Sequence, residues 1–504
     1  MNKNIINIVN FIRGCDPRAD YSLVEPVKKQ LEIAHKYNLP MTFLYQYDAM
    51  IKSEFTDLLK NEKNVELGIW LEMSRWIVEK AGLKWRGREG FDWDWFSHVD
   101  MTVGYTPEER KLLIDEAMRY FKELFGYYPK TVGSWALDAY SIEYMKEKYG
   151  IEAVLICKEQ WGTDGYSLWG GYYSEAYYPC KNNAICPAQS EKEQIKVPVF
   201  RMLGSDPVDQ YMNGIGTSWQ NVESMEPVYP NSGADKNWVE WFLKENFNKN
   251  NLGFNYCQAG QENAFGWEAM QKGYEMQAEM FCEKRKSGEI SFELVSETAR
   301  EYLKKYKLTP VSTTESHKGN KSSLWYNSRY YRSNLYVESN VPMIRDLFIF
   351  DENYRERYLD AVTENESLYY DNLPFVDCFR WSSGENTGGL YFKRNGETVL
   401  AKGRIDCTYN NENEVVAEIL TECGKIAVTY KEKSVSFEFP ENGFMLEAVV
   451  FKGKAAAKEY SGGRIFCEYE KYKYGIELKN ANCEITDSGF KIVPDGRFWE
   501  LNAK

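Results

Sequence analysis

The chain has 504 residues and a net charge of −13, from 62 Lys and Arg against 75 Asp and Glu. That length exceeds one ordinary domain and predicts two or three, and the acidic balance argues against nucleic acid as a partner. Only three His occur (His35, His98 and His317), which argues against a His-rich zinc site and leaves acid–base chemistry mainly to carboxylates, Tyr, Cys or Lys.

The 11 Cys are scattered and lack a CxxC pair, which fits reduced thiols, although Cys180 and Cys186 could pair. No stretch approaches the roughly 20 apolar residues that span a bilayer. The opening segment is too short and too broken by Asn for a signal peptide. The expectation is a soluble, cytoplasmic protein with no membrane partner and no resident metal or cofactor.

Ile5–Phe11 predicts a buried strand. Val24–Tyr37 predicts a helix with Val24, Val27, Leu31 and Ala34 on one face. Strands follow at Pro40–Tyr45 and Val65–Trp70, with a short helix at Phe55–Lys60 between them. Thr106–Phe125 predicts a strong helix: Thr106 as N-cap, Pro107 at the first position, Glu109 closing a capping box and Gly126 as the stop. Thr131–Trp135 is a strand, Ser141–Tyr149 a helix and Glu152–Cys157 a strand. Val197–Met202 and Leu252–Tyr256 are later strands, followed by helices at Phe265–Lys286 and Ser296–Tyr306. This alternation predicts an α/β fold, a distorted (β/α) barrel of seven or eight units over residues 1–310.

From 311 the character changes. Glu315–Ser323 is polar and linker-like, and residues 311–378 are expected to connect. Beyond 379 the chain is strand-rich, with strands at Gly389–Phe392, Val415–Leu420, Lys425–Tyr430, Val435–Phe439 and Met445–Val450. This predicts a C-terminal antiparallel β-sandwich over 379–504.

In a barrel of this type functional residues follow the strands. These segments carry Asp16; Trp70 and Glu72; Trp135 and Asp138; Glu159, Trp161 and Asp164; Arg201; and Gln261, Glu262 and Trp267. The loop from Trp85 to Trp95 adds further aromatics. Aromatic faces beside carboxylates and amides suit sugar rings, and glycosidic cleavage needs two carboxyl groups, one protonated and one ionised.

The segment order resembles the barrel superfamily that holds glycoside hydrolase family 57, the family 38 mannosidases and the polysaccharide deacetylases. Gly133-Ser134-Trp135-Ala136-Leu137-Asp138 is similar to the family 57 strand that ends at its nucleophile. Gly260-Gln261-Glu262-Asn263-Ala264-Phe265-Gly266-Trp267-Glu268 is similar to its late acidic segment. Asp138 stands where that family usually has Glu, and Arg13–Arg18 replaces its early His-containing stretch.

The resemblance implies a glycoside hydrolase acting on a carbohydrate substrate. Asp138 would be nucleophile or base and Glu262 the acid, with Asp16, Glu72, Trp70, Trp135, Glu159, Trp161, Arg201, Gln261 and Trp267 holding the sugar. Each assignment has an alternative. Asp138 fits an N-cap, Glu262 a first-turn helix charge, and Asp16 a salt bridge with Arg13 or Arg18. Two other functions stay open: a metal-dependent deacetylase built on Asp16, Glu72 and Asp138, and a non-catalytic sugar-binding relative. Nothing in the sequence sets the oligomeric state.

Overall fold

A computed structural model describes residues 3–163, 166–173, 176–217, 219–364, 368–369 and 372–503. Among the described residues seven parallel strands of three residues or more form the first half, β1 (Ile5–Ile12), β2 (Met41–Tyr45), β3 (Val65–Trp70), β4 (Thr131–Gly133), β5 (Ala153–Ile156), β6 (Val199–Arg201) and β7 (Tyr256–Ala259), and the short Ser291–Phe292 pairs parallel with the start of β1. Their order is β7-β1-β2-β3-β4-β5-β6, with Ala176–Tyr177 antiparallel outside β6. β1, β2 and β5 are buried throughout, as a sheet covered on both faces requires.

The result is a nearly closed, distorted (β/α) barrel. The seam between β6 and β7 is spanned by side chains. Leu203 N–H donates to Gln258 at 2.7 Å, and the Phe200 and Tyr256 rings lie 4.9 Å apart.

Six longer helices wrap the sheet: α1 (Val24–Tyr37), α2 (Pro107–Phe125), α3 (Ala139–Tyr149), α4 (Lys236–Asn246), α5 (Trp267–Lys286) and α6 (Val295–Lys305). α1 buries Val27, Leu31, Ile33 and Ala34. α2 begins with the expected capping box, Thr106 and Glu109 each bonding the other's backbone, and ends at Gly126 with φ 83°. The last strand differs from expectation. It runs over Tyr256–Ala259 rather than Leu252–Tyr256, because its face carries Cys257 and Gln258 and the apolar signal sits one turn early.

The second half is an antiparallel sandwich of a ten-stranded and an eight-stranded sheet. Its core includes Leu324, Leu335, Ile344, Phe392, Val428, Phe437 and Trp499. All five strands expected after 379 are present, shifted by a residue or two at their ends.

The linker reading of Glu315–Ser323 is corrected: it forms a hairpin, with Ser312–Lys318 paired to Lys321–Asn327. Tyr331–Glu338 and Val341–Ile349 continue the same sheet. These strands are buried on both sides while carrying Arg332, Asn334, Arg345 and Asp346, so polar letters conceal the strand pattern. Among the described residues no helix is long and apolar enough to cross a membrane.

Candidate active site at the barrel mouth

β1 leads directly into Arg13. Its main chain is clasped by one side chain: Arg13 N–H donates to Asn263 Oδ1 at 2.8 Å, and Asn263 Nδ2 donates back to Arg13 carbonyl at 2.8 Å. The same Nδ2 bonds Leu23 carbonyl at 2.8 Å, tying the ends of β1 and β7 to the start of α1.

The next turn is pinned by Asp48, which accepts from Gly14 N–H at 3.1 Å and Cys15 N–H at 2.7 Å. A Cβ on Gly14 would lie 2.5 Å from Asp48 carbonyl oxygen, so only glycine permits this approach.

The held side chain meets three acids from three strand ends. Arg13 Nη1 lies 3.6 Å from Asp16, Nη2 3.4 Å from Glu72 and Nε 3.1 Å from Glu262. The Trp93 ring lies against the guanidinium, with Cζ 4.0 Å from its centroid. Exposure is 2% for Arg13, 1% for Glu72, 5% for Glu262 and 7% for Asp16. Glu72 and Glu262 therefore share one guanidinium, the first at Nη2 and the second at Nε.

The acids differ electrostatically. Burial pushes Glu72 up; Arg13 pulls it down, Glu262 pushes it further up, and it comes to about 7. Neither Glu72 oxygen accepts a well-formed hydrogen bond among the described residues. Burial also acts against the charge of Asp16, but the Arg18 hydrogen bond and the charges of Arg13 and Arg18 outweigh it and hold that carboxyl below its usual range. Arg18 grips Asp16 through Nε at 3.0 Å and Nη2 at 2.8 Å. Exposed Tyr21 packs at the outer edge, against Gly266.

Asp138 lies in a different setting. It caps α3, accepting from Ser141 N–H at 2.9 Å and Ser141 Oγ at 2.7 Å. Thr102 Oγ1 donates to it at 2.6 Å and Arg110 Nη1 at 3.1 Å. Both oxygens are therefore engaged, which corrects the expectation that Asp138 faces the substrate opposite Glu262.

The aromatic and amide candidates divide similarly. Trp70 is fully buried, stacked on Phe11 at 4.0 Å, and so fills the barrel core rather than touching sugar. Trp135 stands edge-on to Trp70 at 5.1 Å. Gln261 donates to Glu226 at 3.0 Å, and Trp267 packs 6.0 Å from Tyr274 at the start of α5.

Glu159 and Arg201 join a buried network between barrel and sandwich. Arg201 lies 3.5 Å from Glu159 and Arg332 2.7 Å from it. Arg201 also donates to Cys157 and Tyr172 carbonyls, so both residues hold structure rather than substrate. Trp161 stands outside this network beside Trp169 and Phe379. Asp164 lies outside the described residues.

A divalent cation on Asp16, Glu72 and Asp138 does not fit this arrangement. Arg13 and Arg18 hold the first, Arg13 faces the second, and the third is filled by its cap donors and Arg110. Elsewhere, Asp206, Asp209 and Glu223 gather their oxygens within 4.8 Å. Lys318 Nζ sits among these three, 2.7, 2.6 and 3.9 Å away respectively.

The strand-end rule pointed to Asp16, Glu72 and Glu262. It missed Arg13 as their common centre and Asp48 as its support. The available signal was an Arg-Gly directly at the end of β1.

A family described as a domain of unknown function with a solved structure, DUF3863, matches residues 103–309. No curated protein matches the chain. A solved structure from Parabacteroides distasonis, described as a candidate glycoside hydrolase/deacetylase, is 15% identical with a TM-score of 0.55. The match covers 73% of this chain and 90% of that one, and shows a shared fold. A candidate polysaccharide deacetylase from Mycobacterium smegmatis is 13% identical over 61% of this chain and 93% of its own, with a TM-score of 0.36.

Proposed function

We propose that the protein is a carbohydrate-active barrel enzyme that hydrolyses a glycosidic bond, with Glu72 and Glu262 as its carboxyl pair. The observation that carries the reading is the placement of two buried acids, from the ends of β3 and β7, on neighbouring nitrogens of one guanidinium, with one acid pushed up to about 7. Pairs of carboxyls with opposed protonation at a barrel mouth are what glycoside hydrolysis requires. The description of the Parabacteroides distasonis protein supports the same class of substrate.

In this reading Glu72 carries the proton. It delivers that proton to the glycosidic oxygen as the bond to the anomeric carbon breaks. Glu262, acting as the carboxylate of the pair beside Arg13 Nε, either attacks the anomeric carbon or takes a proton from the attacking water. Arg13 also stands between the two carboxyl groups and fixes their orientation. Asp16 positions Arg13 and Arg18, the buried Trp93 covers the guanidinium, and the exposed Tyr21 stands at the outer edge. The reading replaces Asp138 by Glu72 and keeps Glu262.

The test is hydrolysis of a glycan panel by the purified protein, with the product anomer followed by NMR. Glu72→Gln and Glu262→Gln should each cut turnover by about a hundredfold or more while leaving the fold intact. Full activity in either variant removes that residue from the pair. The depth of the cluster, with Glu72 only 1% exposed, favours a second reading: a relative that binds sugar without cleaving it. No product across the panel, together with saturable glycan binding that Glu262→Gln weakens and Tyr369→Ala does not, selects it.

A further inference from the structure

A second site stands apart from the carboxyl pair. A cavity of about 290 Å³ is lined by Trp161, Trp169, Arg357, Tyr369, Asn372, Arg380, Tyr469 and Glu470. It is assembled from both halves of the chain. Trp161 lies on the strand Gln160–Thr163, which pairs with Tyr166–Leu168 and through it with Leu368–Tyr369. Tyr469 ends the sandwich strand Arg464–Tyr469, and Arg380 lies on the short helix Cys378–Trp381.

The walls are held in advance of any ligand. The Tyr358 hydroxyl donates to Tyr369 carbonyl at 3.0 Å and accepts from Tyr369 N–H at 3.2 Å, fixing the main chain under a ring that is 47% exposed. Trp161 stands 6.0 Å from Tyr369 and 6.1 Å from Trp169. Arg380 is committed: it donates to Asp377 and Tyr469 and, at 2.9 Å, to Asn372 Oδ1. At the rim, Arg357 pairs with Glu470 at 3.1 Å, and both are partly exposed.

The chemistry of the lining selects its ligand. Glu470 opposes an anion, and Arg380 already faces Asp377, so phosphate or sulfate finds no uncompensated cation there. An exposed aromatic face beside a paired Arg and Glu suits a neutral pyranose: the ring stacks on C–H groups, Glu470 accepts from a hydroxyl and Arg357 donates to its neighbour. The volume is at the small end of ligand pockets. We propose that this cavity is a saccharide-binding site, taking one or two units of a neutral glycan and separate from the Glu72–Glu262 pair.

The experiment uses the full chain carrying Glu72→Gln, so that turnover does not consume the probe. Maltotriose, cellotriose, xylotriose and mannotriose are titrated by calorimetry and by indole fluorescence. At least one should bind saturably, and Tyr369→Ala and Glu470→Gln should each weaken it roughly tenfold without lowering the melting temperature. Absence of binding by all four sugars overturns the proposal. So does binding that neither variant changes, or sugar binding displaced by inorganic phosphate. The wild-type hydrolysis assay is read separately. A protein that cleaves nothing but binds sugar in a Tyr369-dependent way retains this site and loses the carboxyl-pair reading.

Discussion

Two buried arginines, Arg13 and Arg332, face carboxylates in different ways. At the seam, Arg332 bonds Asp346 through Nε at 2.9 Å and Nη2 at 2.7 Å. Its Nη1 donates to Glu159 at 2.7 Å and Gly171 carbonyl at 2.8 Å. At the mouth, Arg13 meets its acids at 3.1 to 3.6 Å. Each network contains an acid that burial pushes to about 7, Asp346 in one and Glu72 in the other. A raised pKa therefore does not separate the two networks; hydrogen bonding does. The seam is closed in on itself and acts as a joint. At the mouth neither Glu72 oxygen accepts a well-formed hydrogen bond among the described residues, with Arg13 and Trp70 favouring its charged form, and the proposed proton transfer would draw on that freedom.

The contrast can be broken most directly by chemistry. Glu72→Gln and Glu262→Gln should each reduce turnover by about a hundredfold to ten-thousandfold, read as kcat on whichever glycan the panel identifies. At the seam, Arg332→Met should cost about 3–5 kcal/mol of stability, because Glu159 and Asp346 are left buried without their partner. Denaturant unfolding measures this, and an unchanged midpoint would show that the joint carries no load.

Asp138→Asn sharpens the comparison further. It keeps a cap but loses the charge facing Arg110, and should cost about 1–3 kcal/mol while the folded enzyme turns over at its normal rate. Lost turnover in a well-folded Asp138→Asn protein would return that residue to the catalytic pair.

The pH dependence of Glu72 has a definite sign. Its folded pKa, about 7, lies above its ordinary value of 4.5. The folded protein then holds the proton more tightly than the unfolded chain. The contribution is fully present below pH 4.5 and is lost as the pH rises through about 7. Glu72→Gln should accordingly stabilise the protein at pH 8, by on the order of 2 kcal/mol, while showing little gain at pH 4. Thermal melts at the two pH values check this. The smallest effect concerns a helix end far from both networks: Thr106→Ala should cost about 1 kcal/mol by removing the capping box of α2.

Much of the barrel was legible because its signals are local. Val24–Tyr37 and Val65–Trp70 have the predicted bounds, and the Thr106 box is written in four consecutive letters. The strands after 379 alternate inward and outward residues, as Glu414–Thr421 does, and were found for that reason. Tyr331–Ile349 was not, since both of its faces are covered and its inward residues include Arg332 and Arg345. In the candidate site, Glu262 and Glu72 were legible from their places after strands, Glu262 as an acid and Glu72 only as a sugar-holding residue. The tether between Asp138 and Arg110 did not, because it joins a strand end to a helix 28 residues earlier. Arg13 was legible only as a salt-bridge partner, since its central role depends on three acids distant in sequence.

One neighbour of β1 in the sheet is β7, which among the described residues is followed in that sheet only by the two-residue strand Ser291–Phe292. Until Tyr256–Ala259 emerges from the ribosome, the apolar edge of Ile5–Ile12 has no partner on that side and is open to pairing with other chains. Glu262 and Asn263 arrive immediately afterwards, so the clasp on Arg13 and the second acid come with the same event. The barrel therefore pairs this long edge and gathers the Arg13 cluster in the same late step. A nascent chain stopped short of that point would have a sticky edge and a scattered set of acids.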